Sequence, residues 1–263
     1  MKKAIVLALM YAFVFQFVAL FLGYVIFYGY AHFAHTEVNN TAFLLFTLLT
    51  SYVFTFIYLY KKGYVHNDHK LYALVSARFL GVTLAVGLSA IAWVSFLMSY
   101  LTFLPNWITD ASERLMTNPL GIFAIALAAP FIEELVFRGG VLKELLKRYR
   151  PWTAIVMSAL IFGIIHINPI QVVGGISIGL LLGWLYYKTR SILPSTMLHV
   201  VNNSLAVYEY IHYGENSDEW ANNLNIAVLI VVLVITALIL IAGIRWLNKT
   251  TYTPVHTSAS ALP

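Results

Sequence analysis

Long apolar runs alternate with short polar segments along nearly the whole chain. The runs approach the ~20 residues that a helix needs to cross the hydrocarbon core of a bilayer. The fifth and sixth runs are short, and only the turn Asn168-Pro169-Ile170 joins them. The pattern predicts about eight transmembrane helices, over Ile5–Tyr28, Phe43–Tyr60, Phe79–Leu101, Leu120–Phe137, Trp152–Ile167, Val172–Tyr187, Ile192–Tyr210 and Ile226–Trp246.

Composition supports a membrane protein rather than a soluble one. Of the 263 residues, 60% are hydrophobic and 10% are charged, whereas soluble domains average about a quarter charged residues. A water-soluble fold of this length could not bury so much apolar surface. We therefore predict an all-α polytopic membrane helix bundle, with a single transmembrane domain over 1–249. The segment 250–263 is rich in Ser, Thr and Ala and is predicted to be a disordered polar tail.

Basic residues concentrate in alternate loops. Because Lys and Arg favour the cytoplasmic side of a membrane, this asymmetry predicts that both termini are cytoplasmic. Only Arg114 falls in a predicted outer loop, while Arg138 lies near the inner end of the fourth helix. The net charge of +5 then follows from topology and requires no nucleic acid. The predicted outer loops instead carry acidic residues, namely Glu37, Asp110, Glu113, Glu215, Asp218 and Glu219.

The location is predicted from the same features. A multi-pass chain of this kind resides in a cell membrane, with the lipid bilayer as its first partner. The start Met-Lys-Lys and the short loops are typical of a bacterial plasma membrane protein. The apolar run that follows is longer than a signal-peptide core of about 7–15 residues and is kept as the first helix.

A few ionisable residues lie inside the predicted helices. Each costs about 3 kcal/mol or more near the bilayer centre, so each is a functional candidate. Glu133 and Glu134 are in the fourth helix, His166 in the fifth and His199 in the seventh. Glu134 and Arg138 are four residues apart, share a helix face and are predicted to pair. Glu133 is rotated about 100° around the helix from Glu134, so it is not part of this pair and is available for a different role.

A carboxylate and two imidazoles suit two related chemistries. In one, Glu133 and His166 activate a water molecule as general base and acid. In the other, His166, His199 and Glu133 hold a divalent metal ion, with zinc the first choice, that polarises the water. His199 and Asn203, four residues apart, could donate hydrogen bonds to an oxyanion. The chain has no cysteine and no H-E-x-x-H sequence, which excludes thiolate sites and an ordinary zincin.

Three motifs in order resemble the CAAX protease and bacteriocin-processing family, also called the abortive-infection family of intramembrane metalloproteases, and its type II CAAX prenyl endopeptidases. E-E-x-x-x-R is Glu133, Glu134 and Arg138; F-x-x-x-H is Phe162 and His166; H-x-x-x-N is His199 and Asn203. The resemblance covers about Leu120–Leu205 and implies a catalytic core at about 120–205. It also implies a membrane endopeptidase whose site opens to the cytoplasm.

The roles of the site residues follow from the resemblance. Glu133 and His166 would activate water, and His199 and Asn203 would stabilise the transition state, with or without a metal ion. The substrate would be a membrane-associated peptide or protein: a prenylated C-a-a-X tail by the family name, or a pheromone or bacteriocin precursor in a bacterium. Two alternatives are a non-catalytic immunity or sensor-scaffold protein of the same fold and a proton-coupled transporter. A Glu133→Gln variant separates an enzyme from a non-catalytic relative.

Overall fold

The computed structural model describes residues 1–101, 103–107, 109–214 and 225–250. Within these residues the chain forms nine helices and no strands, so the predicted all-α membrane bundle is confirmed. The predicted polar tail lies outside the described residues from position 251 onward. The predicted outer-loop acids Glu215, Asp218 and Glu219 also lie outside them.

The helices follow the apolar runs closely. Each of the eight predicted runs coincides with a helix, and one short polar helix, α4, is additional. The bounds are α1 Lys2–Ala34, α2 Asn40–Lys61, α3 Ala77–Met98, α4 Thr109–Met116, α5 Pro119–Leu146, α6 Pro151–Ile164, α7 Pro169–Thr189, α8 Leu193–Tyr213 and α9 Ile226–Lys249.

Not every helix is long and apolar enough to span a membrane by itself. Among the described residues six helices are: α1, α2, α3, α5, α7 and α9. Helix α6 is apolar but has only 14 residues, and α8 has 21 residues with several polar side chains among them. The predicted number of eight spans and the cytoplasmic placement of both termini therefore stay predictions.

Local sequence signals fix where the helices begin. Side chains of Asn39, Ser76 and Asn225 accept hydrogen bonds from backbone N–H groups in the first turns of α2, α3 and α9, which would otherwise lack partners. Helices α5, α6, α7 and α8 each have a proline in the first turn, where its fixed φ suits a helix and its missing N–H costs nothing.

Helix α5 lies at the centre of the bundle. Every residue from Ile132 to Leu142 is buried, whereas α9 exposes most of its length. A helix that is enclosed on all sides must be covered by several neighbours. Helices α1, α2, α6, α7 and α8 all contact α5, so its polar residues are held inside the protein rather than in lipid.

Helices α6 and α7 form a close-packed hairpin through glycines. A Cβ added at Gly175 would lie 3.3 Å from the Cα of Gly163, and one added at Gly179 would lie 3.3 Å from the Cα of Ala159. Small residues let helix backbones approach closely in a membrane. The glycines of α7 therefore pack closely against α6, and α6 contributes Gly163 to the contact.

Replacement of Gly163 by alanine is expected to destabilise this hairpin by about 1–3 kcal/mol, the usual effect of overpacking. The added Cβ would meet the carbonyl oxygen of Val172 at 2.7 Å and the backbone nitrogen of Ile176 at 3.0 Å, and backbone atoms cannot turn aside. The midpoint of thermal unfolding in detergent measures the effect. Gly174→Ala is the matched control, because a Cβ there meets nothing within 4 Å; equal midpoints for the two variants would contradict the prediction.

Candidate active site

Two π-helical segments flank the acidic pair of α5. They span Ala124–Ala128 and Phe137–Leu142, and Glu133 and Glu134 lie between them. Such segments insert an extra residue into a helical turn and occur often at functional sites. Pro130 has no N–H, and the N–H of Ala129 bonds the carbonyl of Ala124. The carbonyl of Ile125 is thereby left for a partner outside the helix.

Glu134 and Arg138 form the predicted ion pair, and both side chains are fully enclosed. Arg138 Nη1 donates to Glu134 Oε1 at 2.8 Å, and Arg138 Nη2 donates to the carbonyl of Gly179 at 3.2 Å. The guanidinium also lies 4.8 Å from the centre of the Phe162 ring, a distance typical of a cation–π contact. Arg138 therefore ties the acidic turn of α5 to α6 and α7.

His199 lies between the two glutamates. Its Nδ1–H donates to Glu134 Oε1 at 2.9 Å, because a carboxylate oxygen can only accept. Its Nε2 faces Glu133 Oε2 at 3.6 Å. A carboxylate that bonds one ring nitrogen fixes the ring orientation and presents the other nitrogen for chemistry. Glu134 thus has a structural partner in Arg138 and an orienting role for His199.

Glu133 has a hydrogen-bond partner that the sequence motifs did not predict. The hydroxyl of Tyr11 in α1 donates to Glu133 Oε1 at 3.0 Å. The two residues are 122 positions apart, and Tyr11 is buried. Its position inside an apolar run, rather than at a membrane interface, is a sequence signal that could have drawn attention to it, and Tyr52 shares that signal.

His166 lies two residues beyond the end of α6, which stops at Ile164 rather than at the predicted Ile167, and it packs against the same aromatic ring as His199. The ring centroid of Phe162 is 5.0 Å from that of His166 and 5.6 Å from that of His199. His166 Nδ1–H donates to the carbonyl of Phe162 at 2.8 Å, which leaves Nε2 with its lone pair. The predicted motif F-x-x-x-H therefore brings both imidazoles to one phenylalanine.

The turn after His166 is strained and clamped. Ile167 has a φ of 62°, which is unusual for a β-branched residue. The next residue, Asn168, is buried; its side chain accepts from the N–H of Trp107 at 3.0 Å and donates to Asn106 Oδ1 at 2.9 Å. The loop after α3 thus holds the turn that carries His166.

Asn203 is anchored one turn beyond His199. Its Nδ2 donates to the carbonyl of Ile125 at 3.0 Å, the group freed by the π-helical segment of α5. Its Oδ1 accepts from Asn202 Nδ2 at 3.3 Å. Because an amide nitrogen carries two hydrogens, one N–H of Asn203 remains for a ligand.

The structure joins four of the predicted site residues directly and the other two indirectly. Glu133, Glu134, Arg138 and His199 form one chain of polar contacts. His166 joins them through Phe162, and Asn203 joins them through the backbone of α5. The roles predicted for all six residues stay predictions that the geometry allows.

The predicted metal ligands do not fit a metal centre as they are placed. Within the described part of the chain, no three His, Asp or Glu side chains are grouped as a bound ion would require. Glu134, the nearest further carboxylate, is committed to Arg138 and His199. Zinc held by His166, His199 and Glu133 stays a prediction, which elemental analysis of the purified protein would test.

A loop packs against the Lys143 end of α5. In the loop 62–76, Leu71 is fully buried, and its carbonyl accepts from the N–H of Ile192 at 2.9 Å. Lys143 Nζ bonds Asp68 Oδ2 at 2.7 Å. Partial burial raises the pKa of Asp68, but its hydrogen bonds to Lys143 and Lys70 together lower the pKa by more. The net pKa of Asp68 therefore lies below the ordinary value. The ion pair therefore persists at neutral pH.

Comparison with protein families supports the resemblance seen in the motifs. Residues 115–205 match the family model described as Type II CAAX prenyl endopeptidase Rce1-like. The segment that carries the site is Rce1-like. This Rce1-like segment contains the three motifs, from Glu133 to Asn203, and the resemblance to type II CAAX prenyl endopeptidases is confirmed over it.

The match has clear limits along the chain. The Rce1-like segment comprises α5 to α7 with parts of α4 and α8, whereas α1, α2, α3 and α9 lie outside it. Comparison with curated proteins and with solved structures gives no match. Tyr11, which bonds Glu133, therefore lies outside the Rce1-like segment.

Proposed function

We propose that the protein is an intramembrane endopeptidase that hydrolyses a peptide bond of a membrane-associated peptide or protein near the cytoplasmic face. The observation that carries this proposal is the placement of His199 between Glu133 and Glu134, at 3.6 and 2.9 Å. Paired carboxylate and imidazole groups at bilayer depth are costly. Their arrangement in a single oriented chain suits proton transfer.

The proposed reaction uses Glu133 as the base. Water attacks the scissile carbonyl carbon, and its proton passes to Glu133 Oε2. The resulting oxyanion takes hydrogen bonds from the free N–H of Asn203 and from His199 when Nε2 is protonated. The C–N bond then breaks, and Glu133 returns the proton to the leaving amine. His166, whose Nδ1 bonds the carbonyl of Phe162, acts with Glu133 on the attacking water through Nε2.

The distance between Glu133 and His199 leaves one carboxylate oxygen outside direct hydrogen bonding with the imidazole. At 3.6 Å His199 Nε2 and Glu133 Oε2 are too far apart for a direct hydrogen bond. Glu134 holds His199 in one orientation, and Tyr11 occupies the other oxygen of Glu133. Glu133 Oε2 is thus the oxygen available to take the proton.

An apolar groove beside the site supports a substrate with an apolar part. The groove has a volume of about 460 Å³ and lies between α2 and α5, with Tyr52, Phe56, Phe131 and Ile132 in its wall. Ile132 directly precedes Glu133 in the chain. A groove lined by aromatic and aliphatic side chains suits a hydrocarbon chain. Together with the Rce1-like match, it favours a prenylated peptide among the membrane-associated substrates.

The experiment that tests the proposal is hydrolysis by the purified protein in lipid vesicles. The substrates are a farnesylated synthetic peptide ending in a C-a-a-X sequence and the same peptide without the lipid. We expect release of the C-terminal tripeptide, detected by mass spectrometry, from the farnesylated peptide at least ~10-fold faster, since each buried CH₂ adds about 0.8 kcal/mol of membrane affinity. No cleavage of either peptide by folded protein would favour the non-catalytic alternative.

A further inference from the structure

We propose that Tyr11 is a positioning residue for Glu133, so that the first helix completes the active site. The inference rests on the proposed function, which makes Glu133 the base and therefore requires its carboxylate to be held in one orientation. The contact is direct: the Tyr11 hydroxyl donates to Glu133 Oε1 at 3.0 Å. Tyr11 lies outside the Rce1-like segment 115–205, so the motifs do not include it.

The contact divides the two oxygens of the carboxylate between two tasks. Glu133 Oε1 accepts from Tyr11, while Oε2 faces His199 Nε2. A glutamate side chain has several rotatable bonds, so its carboxylate changes orientation readily unless a partner holds it. At 3.0 Å the contact between the Tyr11 hydroxyl and Glu133 Oε1 is within the range of an O–H···O hydrogen bond. Tyr11 therefore keeps Oε2 directed toward the imidazole.

The first helix is built to bring Tyr11 to this place. Tyr11 belongs to the π-helical segment Met10–Val14 of α1, whose extra residue redirects the side chains of that turn. Its ring packs edge-on against Phe137, with centroids 5.9 Å apart and planes at 84°. One turn earlier, Leu7 lies so close to Gly140 that a Cβ there would be 3.1 Å from Leu7 Cδ1. Helix α1 is thus fitted against the second π-helical segment of α5.

Burial gives an independent reason to assign Tyr11 a role. The side chain is 6% exposed and sits in an apolar run, where an unbonded hydroxyl would be unfavourable. A phenylalanine would provide the same ring packing without a hydroxyl to satisfy. The hydroxyl is useful to the structure through its bond to Glu133, the residue assigned as the base.

The test compares Tyr11→Phe with wild type and with Tyr58→Phe. Tyr58 is the matched control, because it also packs against α1, with its ring 5.4 Å from that of Phe15. For Tyr11→Phe we expect kcat to fall about tenfold or more, the size of one charge-assisted hydrogen bond, with KM within about twofold of wild type. Tyr58→Phe should keep both constants. The unfolding midpoints of both variants should match wild type, since the rings stay in place.

An infrared readout separates this inference from the proposed function. At one neutral pH, the carboxylate band of Glu133 is assigned by its loss in Glu133→Gln. We expect the frequency of this band to shift in Tyr11→Phe and to keep its wild-type value in Tyr58→Phe. A band that does not move, or a kcat that does not fall, overturns the role of Tyr11. If wild type hydrolyses no peptide, the proposed function fails, and the infrared comparison alone decides whether Tyr11 holds Glu133.

Discussion

The Glu133→Gln variant is expected to lose peptide hydrolysis by about 10²–10⁴-fold, the range of general acid–base catalysis, while it still accumulates in the membrane. Glutamine keeps the shape of the side chain and can still accept from Tyr11, but it cannot take a proton from water at Glu133 Oε2. The neutral amide also relieves the cost of a buried charge. Tripeptide release from the farnesylated substrate, normalised to the amount of folded protein, measures the loss.

A second acid on the same helix provides the control. Glu144 pairs with Lys147 at 2.6 Å, at the end of α5. Glu144→Gln removes a carboxylate from α5 without touching the site, so its activity should stay within about twofold of wild type. Full activity in Glu133→Gln would assign the base to another group. Equal losses in both variants would attribute the effect to helix α5 as a whole.

The Arg138→Ala variant is expected to lose about 3–5 kcal/mol of stability, as when one partner of a buried ion pair is removed. Arg138 is 1% exposed and bonds both Glu134 and the carbonyl of Gly179. Its loss would leave Glu134 as an enclosed carboxylate without its cation, and would leave a cavity beside Phe162. Thermal or denaturant unfolding in detergent measures the change, and hydrolysis should fall with it.

Two further variants show whether charge pairing is the cause. Arg148→Ala removes an exposed arginine at the end of the same helix and should change stability by less than ~0.5 kcal/mol. The double variant Glu134→Leu with Arg138→Met replaces the pair by apolar side chains and should recover much of the stability. It should remain inactive because His199 loses its orienting carboxylate. An Arg138→Ala protein as stable as wild type would contradict the assignment.

The sequence predicted the elements well because the membrane imposes a simple rule on them. Each apolar run of sufficient length became a helix, since a backbone in lipid must satisfy its own hydrogen bonds. Helix α4 was missed because Thr109–Met116 is short and polar, without an apolar run. The bounds of α1 were underestimated, since the helix continues to Ala34 beyond the predicted Tyr28.

The site was predictable where its contacts are local. Glu134 and Arg138 are four apart on one helix, so their pairing follows from helix geometry. The contact of His199 with Glu134 joins residues 65 positions apart, and that of Tyr11 with Glu133 joins residues 122 apart. Such contacts depend on helix rotation and crossing, which a single sequence does not specify. The motifs named four of these five residues, all except Tyr11, as members of one site, without the bond that each one makes.

The three π-helical segments have a consequence for how the chain tolerates changes of length. Each one sets the rotational phase of the helix that follows it, and one residue of an α-helix corresponds to about 100° of rotation. A single-residue deletion within Ala124–Ala128 would turn Glu133 and Glu134 away from Tyr11 and His199 at once, although no site residue had been removed. The same deletion in the loop after α2 would shift no helix phase. In a deletion scan, removal of one residue from the interior of α5 should therefore misalign every site residue that follows it in the helix.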